Sequence, residues 1–106
     1  MRIKDVISEL KKLQIPIKYR VFKSKPSVPF LVYYKDSSGN FIADGEVYYK
    51  AENYVLELYY DNEPSAVETK IEKTFDDLGI CWVKEESYID SEKLEMLMYY
   101  FSVEGE

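Results

Sequence analysis

Between Tyr48 and Tyr60 the side chains alternate in character: Tyr54, Leu56, Leu58 and Tyr60 share one side of an extended chain, and Val55, Glu57 and Tyr59 share the other. A period of two is the signature of a strand. The mixed second side predicts that only one face is fully covered. Past Asp61-Asn62-Glu63-Pro64 the period changes. Val67, Ile71, Phe75 and Leu78 recur at spacings of four, four and three, which gathers them into one stripe of a helix over Ser65 to Leu78. Glu68, Lys70, Glu72, Lys73, Asp76 and Asp77 take the opposite side. Pro64 suits a first helical turn, Asp61 or Asn62 can cap the free amides, and Gly79 is placed for a left-handed stop.

The flanking segments read as elements that pack on this pair. Arg2 to Leu13 is predicted helical, with Ile3, Val6, Ile7, Leu10 and Leu13 on one face. Ile15-Pro16 ends it, because the residue before a proline is pushed toward extended geometry. Ile17 to Phe22 then reads as a short strand, and Lys23 to Pro29 as a basic loop or ragged edge, since Pro26 and Pro29 cannot donate to a ladder. Phe30 to Lys35 is the next strand. Turn residues at Asp36 to Asn40 and at Asp44-Gly45 bracket Phe41-Ile42-Ala43, which reads either as a wide hairpin tip or as a loop carrying Phe41 and Ile42 toward a partner. Ile80 to Tyr88 alternates as a strand, and a turn at Asp90-Ser91-Glu92 leads into Leu94 to Val103. That last run is apolar on both sides and reads as a central strand.

The order helix, strand, strand, strand, helix, strand, strand predicts an α+β fold. Its simplest form is a mostly antiparallel sheet of four to five strands with two helices packed on one face. At 106 residues the chain has room for one core, so residues 1–106 are expected to form a single domain.

Tyrosines change the picture of the second sheet face. Four pairs, Tyr33-Tyr34, Tyr48-Tyr49, Tyr59-Tyr60 and Tyr99-Tyr100, fall within predicted strands, so each pair sends one ring to either face. Tyr33, Tyr49, Tyr59 and Tyr99, with Phe41 and Ile42, are the candidate assembly interface. Tyrosine suits interfaces because it buries a large apolar body and keeps a hydroxyl for a wet contact. The competing reading is that these rings only stabilise the sheet through cross-strand pairing.

Charge divides along the chain. Residues 1–35 carry nine Lys/Arg against two Asp/Glu, and the remainder carries five against eighteen, within a total of −6. Either the basic segment packs beside the acidic remainder, or copies associate head to tail with the field guiding encounter and register. Aromatic rings bind single-stranded nucleic acid when set in a positive groove, but here they are interleaved with Glu46, Glu52, Glu57 and Glu95. The electrostatics oppose nucleic-acid binding.

Chemistry is sparse. With no histidine the commonest general base is missing, and no serine or cysteine sits in a nucleophile motif. Asp76-Asp77 and Glu85-Glu86 are adjacent acids that diverge on a helix or strand, Gly39 and Gly45 lack phosphate-loop spacing, and the Asp36 to Asn40 turn lacks the ligand set of a calcium loop. Cys81, the single cysteine, lies in an apolar strand and reads as a buried core thiol. No enzyme activity, cofactor or metal is expected. No apolar run approaches the roughly 20 residues that span a bilayer, and the N-terminus opens an amphipathic pattern instead of a signal peptide, so a soluble protein made in the cytoplasm is expected.

Val28-Pro29-Phe30-Leu31-Val32-Tyr33-Tyr34, the Phe41 to Lys50 segment and Tyr54-Val55-Leu56-Glu57-Leu58-Tyr59 carry a resemblance, together with Leu78-Gly79-Ile80-Cys81-Trp82, Glu85 to Ile89 and the closing Leu97 to Val103 strand. These stretches resemble the small tail-terminator, or tail-completion, proteins of long-tailed bacteriophages and prophages of Gram-positive bacteria. The resemblance implies a structural subunit acting in a ring of about six at the head-proximal end of the tail tube. There the ring stops tube polymerisation and meets the head-tail connector protein. It implies the host bacterial cytoplasm during assembly, and the virion tail afterwards, as the protein's location. The alternative is an acidic binding module that inhibits a host DNA-binding protein.

Overall fold

In the computed structural model, which describes residues 2–36, 51–61 and 65–104, two α-helices and five strands appear in chain order among the described residues. They are α1 (Ile3–Lys11), β1 (Ile17–Tyr19), β2 (Phe30–Lys35), β3 (Ala51–Tyr60), α2 (Ser65–Asp77), β4 (Trp82–Ile89) and β5 (Leu94–Glu104). The fold is α+β. One five-stranded sheet has the order β1-β2-β3-β5-β4, and every pairing is antiparallel except β1 with β2.

The predicted stripe on α2 becomes its buried face. Ile71 and Phe75 are wholly covered, while Val67 and Leu78 pack at the margin of the core. The helix stops where the sequence places the stop: Gly79 has φ of +72°, and the Ile80 amide donates to the Phe75 carbonyl at 2.9 Å. A left-handed residue costs glycine little, so the chain can reverse there without strain.

On α1, Val6, Ile7 and Leu10 are buried, and the Asp5 carboxylate accepts the Arg2 backbone N–H at 3.1 Å. The helix is shorter than its apolar pattern. It ends at Lys11 because the Leu13 amide tightens onto the Leu10 carbonyl and Gln14 turns left-handed at φ of +60°, although Leu13 still packs on the core.

Both helices cover one side of the sheet. Register aligns the inward residues: Leu56 lies beside Tyr99, Leu58 beside Leu97, and Tyr54 beside Phe101. Leu31 of β2 pairs with Leu58. Each large side chain so buried contributes about 1.5–3 kcal/mol through its removal from water. β5 lies between β3 and β4, the central position its two apolar sides predict.

β1 is a correction to the predicted strand over Ile17 to Phe22. Arg20 adopts φ of +71° and the Val21 amide folds back onto the Tyr19 carbonyl at 2.9 Å, so the chain leaves the sheet after three residues. Parallel neighbours require a crossover, and residues 20–29 supply it on the side away from the helices. Phe22 meets Phe30 edge-on with centroids 5.6 Å apart. Phe30 and Val32 are accordingly buried.

Cys81 is a second correction. Strand alternation is as predicted, with Ile80 and Trp82 toward the helices, but β4 begins only at Trp82. Ile80 takes the core position at the end of α2, and Cys81 is exposed.

Candidate functional site

The sheet face away from the helices is the candidate surface, and its most unusual residue is an acid. Glu57 points there because it alternates with Leu56 and Leu58, and its neighbours across the ladder are Val32 and Met98. A carboxylate among apolar side chains must be satisfied or it costs stability. Two tyrosines do this: Tyr34 donates to Glu57 Oε2 and Tyr59 to Glu57 Oε1, each at 2.6 Å. The register makes it possible. Tyr34 pairs with Val55 and so lies diagonal to Glu57, while Tyr59 is two residues along the same strand. Phe30 stacks on Tyr59 with centroids 4.8 Å apart and holds that ring in place.

Burial, and after it the hydrogen bond to Glu57, push both phenols well above their ordinary pKa. They are therefore neutral donors throughout the physiological range. Raised, not lowered, tyrosine pKa values provide no base or nucleophile.

Between the crossover and the sheet lies a hollow of about 220 Å³, with Arg20, Phe22 and Lys25 on one wall and Phe30, Glu57 and Tyr59 on the other. Its lining combines aromatic and aliphatic side chains with the charges of Arg20, Lys25 and Glu57. Among the described residues no three His, Cys, Asp or Glu side chains gather as metal ligands.

A second polar cluster ties the helix side of β4 to α2. Lys84 bonds the Glu68 carboxylate and, at 2.8 Å, Glu72; Tyr99 donates to Glu72 at 3.0 Å, and Trp82 donates its indole N–H to Asp76 at 3.0 Å. Glu68 and Glu72 are one helical turn apart and so reach the same lysine. Tyr99 is raised by burial and by this bond. Tyr60 is pushed up to about 12 by burial and by its hydrogen bond to Glu95. Lys84 is the one cation in the β4 sequence, and it is drawn toward α2.

The predicted interface residues separate. Tyr59 lies on the face away from the helices. Tyr33 instead packs against the core on the helix side, edge-on to Tyr19 with centroids 5.2 Å apart. Tyr99 is wholly buried beneath α2, so it is a core residue of the protomer. The members of those pairs that reach the far face are Tyr34 and Tyr100, with Tyr100 donating to Glu85 at 2.9 Å. The three pairs within the described residues divide between faces as predicted; in β2 and β5 the predicted interface residues, Tyr33 and Tyr99, are the inward members. Phe41, Ile42 and Tyr49 lie outside the described residues. Glu57 is absent from the predicted interface residues, and the signal that marks it in the sequence is a lone acid between Val55 and Tyr59 on one side of a strand.

The tyrosines set a pH dependence. Unfolded tyrosine ionises near pH 10, whereas Tyr34, Tyr59, Tyr60 and Tyr99 are all raised in the fold. Their contribution is complete below about pH 10 and is lost as pH climbs from there through the folded values. Urea titrations between pH 8 and 12 should show a flat stability up to about pH 9.5 and a decline above it. Tyr34→Phe should make the decline shallower; an unchanged slope would remove Tyr34 from the account.

Compared with protein-family models and with curated proteins, the chain matches none. Among the described residues no helix is long and apolar enough to cross a membrane.

Proposed function

We propose that this protein is a non-enzymatic phage structural protein: a tail terminator that forms a ring, about six copies round, at the head-proximal end of the tail tube. It ends tube polymerisation there and joins the tail to the head connector protein. The observation that supports the reading is the distribution of charge over the sheet. Lys18 of β1, with Arg20 directly after it, stands at one end of the strand order, and Glu85 and Glu86 of β4 stand at the other. A subunit charged oppositely at its two ends is suited to head-to-tail contact, which closes on itself as a ring when the rotation allows. The far sheet face agrees with an assembly role, because the Tyr34, Glu57 and Tyr59 side chains hold one another there in a fixed arrangement.

Light scattering across concentration and ionic strength, with electron microscopy of any large species, tests the reading. Rings of about six, or ordered caps on tubes once tail-tube protein is added, are the expected result. A monomer that neither self-associates nor binds tubes, yet captures a basic host DNA-binding protein in a salt-sensitive way, would instead support an acidic inhibitor.

A further inference from the structure

We infer that the sheet continues from copy to copy, with the outer edge of β4 in one protomer pairing antiparallel with the outer edge of β1 in the next. This rests on the ring reading and specifies its contact. β1 and β4 are the two ends of the strand order, and among the described residues neither has a partner on its outer side.

An edge strand presents a row of unpaired N–H and C=O groups and is a template for another strand unless it is blunted. β1 offers a short row, three residues before Arg20 turns the chain away. β4 offers a longer one: it runs for eight residues without proline or glycine, and Val83 and Tyr88 are 52% and 53% exposed along it.

Direction and charge select the partner. β1 runs with β2, and the chain reverses at each step from β2 to β3 to β5 to β4. β4 is therefore antiparallel to β1, and two copies side by side in one orientation bring the edges together in an antiparallel pair. Pairing β4 with its own copy about its middle would set Glu85 opposite Glu85 or Glu86 opposite Glu86, according to register, and like charges directly opposite are unfavourable. The basic edge relieves this. From Leu10 to Lys35 the chain contains no acid, and Lys18, Arg20 and Lys23 lie on or just beyond β1. Lys84, the β4 residue that would repel them, is held by Glu68 and Glu72. A contact between unlike edges repeats indefinitely or closes, so each protomer gives one edge and receives the other.

The test is charge exchange. One variant carries Glu85→Lys and Glu86→Lys, the other Lys18→Glu and Arg20→Glu; circular dichroism confirms that each is folded, and sedimentation velocity reads mass with and without tail-tube protein. Each variant alone should associate at least 10-fold more weakly than the unaltered protein. An equimolar mixture should recover the original mass, because every contact then joins unlike edges again. Variants that each assemble as well as the parent overturn the edge pairing and leave the ring reading standing. Loss in both without recovery on mixing also overturns the pairing. Absence of assembly in the parent itself, even on tubes, removes the ring reading and the pairing with it.

Discussion

Phe75→Ala should lower the free energy of unfolding by about 3–5 kcal/mol, the cost of removing a buried aromatic ring and leaving a cavity. Phe75 is wholly covered where α2 meets the sheet, with its ring 4.9 Å from Phe101 and 5.8 Å from Tyr99 between centroids. Those neighbours are anchored in the central strand β5, so they cannot slide into the vacated space. Domains of this kind have only about 5–15 kcal/mol of stability in all. The variant should therefore unfold at a much lower urea midpoint with an unchanged slope. A loss below about 1 kcal/mol would mean that α2 is not seated as described.

Glu57→Ala should cost about 2 kcal/mol for a different reason. It leaves the Tyr34 and Tyr59 hydroxyls without their common acceptor, and an orphaned polar group is more costly than an absent one. Both rings are half-buried, so water reaching the hydroxyls keeps the loss below that of a sealed site. The control is a triple variant, Tyr34→Phe, Glu57→Leu and Tyr59→Phe, which removes donors and acceptor together. Its stability should lie well above that of Glu57→Ala. If the triple variant is the less stable, the hydrogen bonds themselves, and not the avoidance of unpaired groups, hold this face together. Far-ultraviolet circular dichroism during urea titration measures both.

What was legible in the sequence follows from how local each signal is. The α2 stripe, its Gly79 stop and the alternation in β3 are written in spacings of two to four residues, and the structure follows them. Packing of two helices on one face of a mostly antiparallel sheet follows from the order of elements. The early ends of α1 and β1 were not legible, because Gln14 and Arg20 adopt left-handed backbone without the glycine or asparagine that normally marks it. Lys93 does the same before β5. The faces of Tyr33 and Tyr99 were harder still. Alternation says that two adjacent rings point apart; only the register with Leu56 says which one lies under a helix. Exposure of Cys81 turned on where β4 starts, a boundary that local propensity places poorly.

The central pair of the sheet joins segments far apart in the chain. β3 and β5 align from Ala51 with Glu104 to Tyr60 with Glu95, and the whole of α2 and β4 lies between them. β4 and β5, by contrast, are joined by the short turn at Asp90–Glu92 and meet at Ile89 with Leu94. Closing a long loop costs more entropy than closing a short one, so the β4–β5 hairpin is the piece that can form first, and docking of β3 onto it becomes the slow, rate-setting event. Mutations at the hairpin turn should then alter how fast the protein folds, whereas changes at the β1 edge should alter mainly how fast it comes apart.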